Sequence, residues 1–315
     1  MTPLPRLRVE GLSVRFHLPG ATVRAVTDAH FEVRSGQCVA LVGESGCGKS
    51  VMAHALLGLL PGNASVEGAA WLESGDAPPV DLVAAPEKVL ARTIRGRRVG
   101  LVPQSPAAHL TPVRTARAQL TEALRELGNP DRADALAERA GLRPPDLDLY
   151  PHQLSGGMAQ RVVNAIALAG DPWLIIADEP TSGLDRPLVD ATMTELRRLA
   201  DDGRAVLLIT HDLRAAQQVA DHVAVMYASR ILSVEPAADF FTRPRHPYAA
   251  GLLDALPSRG FAAIPGQPPE LSDLPEGCAF RPRCARATDD CERLPQPLGS
   301  GRVACHHPLE NHAAR

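Results

Sequence analysis

The chain has 315 residues, 45% of them hydrophobic, enough for one large domain with an appendage or for two domains. A net charge of −3, with arginines dispersed and no basic tract interleaved with aromatics, gives no reason to expect a nucleic-acid partner. No apolar run approaches the roughly 18 residues needed to span a bilayer, and the N-terminal MTPLPRLRVE lacks the apolar core of a secretory signal. The chain is therefore expected in the cytoplasm, with any membrane spans carried by other subunits.

Residues 6–16 alternate as a strand does, and a second strand is predicted near 30–34. Together they suggest an antiparallel edge ahead of a parallel core. The apolar run 38–42 reads as a buried strand, and VMAHALLGLL after residue 50 reads as a helix ending at Pro61-Gly62. SVEGAAWL and RRVGLVPQ are strand-like and joined by a polar, Pro-containing loop. From about 106 to 170 the pattern is helical, with AQLTEALREL and DRADALAERAGL amphipathic and MAQRVVNAIALAG more buried. WLIIAD, AVLLITH and HVAVMYA then alternate with helices at RPLVDATMTELRRLADDG and LRAAQQVAD, the signature of a parallel sheet with helices on its faces. From about 240 the composition turns Pro-rich and long periodic segments stop, so a boundary is placed there. No internal repeat is seen.

Between the strand at 38–42 and its helix stands GESGCGKS, residues 43–50. The pattern G-x-x-x-x-G-K-[ST] fits Gly43, Gly48, Lys49 and Ser50. Glycines let successive N–H groups turn toward phosphate oxygens, and the helix adds its positive dipole end. Glu44, Ser45, Gly46, Cys47 and Val51 complete the cradle. Lys49 would reach the β- and γ-phosphates, and the Ser50 hydroxyl would sit on Mg²⁺. A plain strand–turn–helix is disfavoured, because lysine occurs only at 49 and 88 in a chain that otherwise uses arginine. The run Leu174–Ala177 delivers the acids Asp178 and Glu179 at a strand's C-terminal end, where open α/β sheets bind ligands. Asp178 would help hold Mg²⁺, and Glu179 would act as general base on the attacking water. LSGGM at 154–158 places Ser155, Gly156 and Gly157 at a helix start able to bind an anion, although an ordinary capped helix would read the same.

With these motifs on the page, the chain resembles the ATP-binding subunits of ABC transporters, over nearly its whole length. GESGCGKS matches Walker A, LIIADE matches Walker B, LSGGM the signature sequence and SGLD, with Asp185, the D-loop; Gln104 matches the Q-loop and His211 the switch histidine. The resemblance implies an α/β P-loop ATPase domain at 1–240, with an antiparallel β subdomain and a helical subdomain at about 106–170. It implies ATP and Mg²⁺ as ligands, with Ser50, Gln104 and Asp178 around the metal, and Gln104, Glu179 and His211 at the reacting phosphate. Phe16 is the positional candidate to stack on adenine; a core phenylalanine is the plain alternative. In the family two ATPase subunits face head to tail, so Ser155 and Gly157 of one would contact the γ-phosphate held by the other. The implied partners are that second ATPase, a paralogue in the peptide group, two transmembrane permease subunits at the cytoplasmic face of the membrane, and an extracytoplasmic solute-binding protein.

YPHQLSGGMAQR and RHPYAAGLLDALP at 245–257 resemble the oligopeptide, dipeptide and nickel importers, and the remainder, 241–315, resembles their C-terminal extension. Cys278, Cys284, Cys291 and Cys305 match the cysteine-rich end of the peptide branch, which carries a 4Fe–4S cluster. Five, six and thirteen residues separate them, without the close C-x-x-C pair of a zinc ribbon. Four thiolates suit an iron–sulfur centre, with zinc or no metal as the other readings, and His306 and His307 are taken as bystanders. Cys38 and Cys47 are read as small buried or loop residues. The chain departs from the family at SPAAHLTP after Gln104, at Met158 and Ala159, and in carrying SGLD where peptide importers often have alanine. The leading reading is a peptide importer's ATPase. Nickel or metal-chelate uptake is the alternative within the class, and a soluble ABC ATPase of a non-transport complex is the alternative outside it.

Overall fold

The computed structural model describes residues 5–74, 77–298 and 303–309, so the outermost ends of the expected domains, 1–4 and 310–315, lie outside the described residues. Two compact units emerge, one within segments 1–6, 33–38 and 85–209, the other within 7–32, 39–84 and 210–315.

The first unit centres on three parallel strands, Val99–Val102, Leu174–Asp178 and Ala205–Thr210. Val99 pairs with Leu174, and Leu174 with Ala205. The second and third strands are buried at every position, which is why they read as unbroken apolar runs. Between them runs the helix Arg186–Asp201, which buries Val189, Met193, Leu196 and Leu199 at helical spacing. The helices Ala116–Leu127 and Ala133–Arg139 belong to the same unit. Arg117 ties them together through ion pairs to Asp134 and Asp148. The buried Gln119 amide donates to the carbonyls of Thr111 and Arg114 and accepts the Thr111 N–H, fixing the turn downstream of Gln104.

The second unit holds a four-stranded sheet in the order Ala21–Arg34, Pro5–Leu18, Ala64–Ser74, Ala77–Asp81. The strand expected near 30–34 begins at Ala21, but its buried positions start only at Ala25, so its first residues carry no apolar alternation to read. Ala77–Asp81, expected as loop, pairs through Val80 with Leu72. Its two prolines suit the end of a sheet, where unpaired positions need no N–H. In this unit the strand Cys38–Val42 runs parallel to His222–Tyr227, with Val42 opposite Val225. His222–Tyr227 then turns back antiparallel into Arg230–Pro236, a strand the sequence reading lacked. The turn is Ala228-Ser229, both with positive φ, 44° and 70°. It is a tight hairpin turn without the Asn or Gly that signals one. Residues from 240 onward continue this core: Phe240, Tyr248 and Phe280 bury with Val42, Val225 and Tyr227. The rings of Tyr227 and Tyr248 lie 4.5 Å apart, with Phe280 edge-on at 5.5 and 5.3 Å. Among the described residues no helix is long and apolar enough to cross a membrane.

Candidate functional site

The loop 43–50 belongs to the second unit. It leaves a fully buried strand and enters the helix Lys49–Leu56. Two glycines fix its shape. A Cβ on Gly43 would lie 2.1 Å from the Met226 carbonyl oxygen, and one on Gly48 would lie 2.0 Å from that of Ala25. Both clashes are with backbone, and Gly48 also takes φ 112°, so no side chain is accommodated there. Gly48 caps the helix without a side-chain hydrogen bond, so no capping side chain competes with an anion at the helix start. Ser229 N–H donates to the Cys47 carbonyl, and Thr27 N–H to the Ser229 carbonyl, pinning the loop's base to the strained hairpin turn.

Lys49 is 6% exposed, and its ammonium donates to the carbonyls of Gly43 and Glu44 at 2.8 and 3.0 Å. The cation thus lies across the loop it belongs to. Ser50 and Val51 are half-buried, and Ser45 and Gly46 exposed. The Cys47 thiol is buried, and that burial pushes its pKa up against the opposing pull of Lys49, so it stays neutral. Phe16 is half-buried and pairs with Ala64 at a strand end, so it is not wholly taken into the core. His211 is exposed, ahead of the helix Leu213–Val219 that Asp212 caps.

The remaining candidates stand in the first unit. Asp178 and Glu179 are 5% and 8% exposed at the end of the strand Leu174–Asp178. Glu179 has φ 48°, a left-handed conformation that glycine favours and glutamate rarely adopts. Its N–H donates to the Ile209 carbonyl at 2.8 Å, which anchors the strained residue to the neighbouring strand. Gln104 is exposed, ahead of Ser105 with φ 59°. Ser155 caps the helix Gly156–Leu168 by accepting the Met158 N–H at 3.2 Å. Ser155 and Gly156 are exposed, whereas Gly157 is buried against Leu188. Asp185 caps the helix Arg186–Asp201 through the Leu188 N–H.

Cys278, Cys284, Cys291 and Cys305 are free thiols that line one small pocket in the second unit, beside His246 and Phe280. Burial pushes Cys305 up to about 11, and neighbouring cysteines push in the same direction. Among the described residues no three His, Cys, Asp or Glu side chains are arranged to hold a single metal ion.

One contact had no local signal in the sequence. Glu44, at a variable position of the loop pattern, receives a two-pronged ion pair from Arg283, 239 positions later.

The glycine geometry makes a prediction. Gly48→Ala is expected to lower the melting temperature by several degrees and to weaken nucleotide binding, because a Cβ must displace backbone. Gly46→Ala is the control: nothing lies within 4 Å of its Cβ position, and φ 81° alone costs about 1–2 kcal/mol. Equal thermal shifts in the two variants would contradict the packing argument.

A family model described as ABC transporter matches residues 26–182, and one described as the oligopeptide/dipeptide transporter C-terminal region matches 234–291. The oligopeptide transport ATP-binding protein OppD of Haemophilus influenzae is 40% identical, over 93% of this chain and 93% of its own. OppD of Salmonella typhimurium is 39% identical over 96% of this chain and 94% of its own. Among solved structures, a dimeric bacterial ABC transporter cassette superposes with a TM-score of 0.63 at 25% identity, over 73% of this chain and 98% of its own. A dimeric post-hydrolysis state of an ATP-binding cassette, bound to ADP and Pi, gives the same figures.

Proposed function

The chain belongs to the ABC transporter family, and from that premise we propose that it is the ATP-hydrolysing subunit of an importer of di- and oligopeptides. The observation that carries the peptide reading is the match of residues 234–291 to the oligopeptide/dipeptide region, in a segment that shares one hydrophobic core with the phosphate-loop strand. We read residues 1–240 as the ATP-binding domain and 241–315 as the extension typical of that branch.

The chemistry follows from the residues. The loop 43–50 cradles the triphosphate through its N–H groups, with Lys49 as the point charge on the outer phosphates. Phe16 offers a partly exposed ring to adenine. Ser50, Gln104 and Asp178 are the oxygen donors that would hold Mg²⁺, which would supply charge neutralisation for the triphosphate. Glu179 takes a proton from the attacking water, and His211 steadies that water. Each ATP is completed by the facing subunit's signature helix, where Ser155, Gly156 and Gly157 of this chain serve in turn. Asp185 holds the D-loop between the two. A two-ATPase arrangement is supported by the dimeric state named for both solved cassettes.

Gln104 and the segment after it are the candidate contact with two permease subunits at the cytoplasmic membrane face. Val113 there is 80% exposed, an apolar side chain with no cover from its own chain. A solute-binding protein outside the membrane would deliver the peptide.

We propose a 4Fe–4S cluster at the four-thiol pocket, since four thiolates are the usual ligands of such a centre. Such a centre would supply a structural or redox element away from the phosphates. Anaerobically purified protein is expected to be brown, and Cys284→Ser to lose the visible absorbance. Colourless protein containing stoichiometric zinc would refute the cluster.

The function itself is tested by purifying the tagged chain from membranes in mild detergent. Two multispanning proteins and a second ATPase should copurify, and reconstituted vesicles should take up labelled peptide with ATP. Copurification of ribosomal or repair proteins alone would overturn the reading.

A further inference from the structure

The phosphate loop is held from outside by the C-terminal extension, and the contact converges on Glu44. The Arg283 guanidinium donates to both carboxylate oxygens of Glu44, at 2.7 and 2.9 Å. This is a fork-on-fork pair that only arginine makes. The same guanidinium donates through Nε to the Pro265 carbonyl at 2.8 Å and through Nη1 to Tyr227 Oη at 3.2 Å. Its side chain is 4% exposed, against 27% for Glu44. The Glu44 backbone is held as well: its N–H donates to Tyr248 Oη at 2.9 Å. Tyr248 is fully buried, and burial and then the Glu44 charge push its pKa up, keeping the phenol protonated. Arg283 itself is fixed by the turn that joins two of the pocket cysteines: Arg281 N–H donates to the Cys278 carbonyl, and Cys284 N–H to the Arg281 carbonyl.

Two physical consequences meet at the nucleotide. The Glu44 carbonyl is one of the two that Lys49 grips, so the placement of Glu44 sets part of the cradle's shape. Glu44 is also a carboxylate in a loop built for a polyanion, and unpaired it would repel the phosphates. Arg283 cancels that charge where solvent screens it little.

We propose that Arg283 and Tyr248 are positioning residues for ATP binding, the first by neutralising and orienting the Glu44 side chain, the second by holding the Glu44 main chain. The inference rests on the phosphate loop's being the nucleotide site. It makes the C-terminal extension part of that site's construction and not an appendage to it.

The test is titration of purified full-length chain with the non-hydrolysable β,γ-imido analogue of ATP and Mg²⁺, beside its melting temperature without nucleotide. Arg283→Gln is expected to weaken affinity by about tenfold, the worth of one charge-assisted contact. Adding Glu44→Gln in the same chain should restore most of that loss, since the repelling charge is gone. A purely structural Arg283 predicts otherwise: affinity unchanged, or lowered with no recovery in the double variant, and either result overturns the proposal. Should Arg283→Gln fail to fold, Tyr248→Phe carries the test, because the ring still fills its space. Affinity several-fold weaker at an unchanged melting temperature supports the proposal, and wild-type affinity overturns it. A wild-type chain that bound no analogue would instead sink the nucleotide reading itself.

Discussion

Glu179→Gln is expected to reduce ATP turnover by about 10²–10⁴-fold while leaving ATP binding nearly intact. The substitution keeps size and polarity, so the buried position at the strand end is not emptied. It also keeps the main-chain bond to Ile209 that holds the left-handed residue in place. What is lost is the capacity to accept a proton from water. An acid held in a costly backbone conformation, directly after a buried strand that is apolar from Leu174 to Ala177, is placed there for chemistry and not for stability. With turnover blocked and ATP bound, the paired subunits should stay closed, visible as a dimer in size-exclusion chromatography with ATP but not with ADP. A variant that kept most of the wild-type rate would remove Glu179 from the reaction.

Lys49→Ala is expected to weaken nucleotide binding by on the order of a hundred-fold, and transport should fail with it. Two charge-assisted hydrogen bonds of about 1.5 kcal/mol each disappear, and each 1.4 kcal/mol is tenfold. The same ammonium bridges the Gly43 and Glu44 carbonyls, so its removal also loosens the cradle. The strand and helix on either side are packed independently of it, with Leu41, Val42, Met52 and Leu56 fully buried. The melting temperature without nucleotide should therefore move little. Binding calorimetry separates the two effects. Normal affinity in Lys49→Ala, or loss of affinity only in step with unfolding, would contradict the assignment.

The parallel strands of the first unit were legible because they are almost wholly buried and so appear as short apolar runs. The loop 43–50 was legible because its constraints are local: glycine where carbonyls crowd, lysine and serine at the helix start. The strand Arg230–Pro236 was not, since the hairpin turn before it uses Ala228 and Ser229 at positive φ where glycine or asparagine would have marked it. Nor was the bond between Glu44 and Arg283. Nothing in the sequence around either residue distinguishes it from the chain's other charged residues, and only the fold brings them together across 239 positions. The Pro-rich composition after residue 240 likewise hides that Tyr248 and Phe280 complete the aromatic packing around Tyr227. Contacts that depend on sequence separation carry no periodic signal, and the extension's role in the loop's construction is of that kind.

The most direct measurement of the shared-pocket account is a cryo-EM map of the assembled transporter, carrying Glu179→Gln and trapped with ATP and Mg²⁺. The account predicts the γ-phosphate between Lys49 of this chain and the signature serine of the facing ATPase, with Ser155 of this chain on the other nucleotide. A triphosphate bound wholly within one subunit, touching no residue of its neighbour, would contradict it.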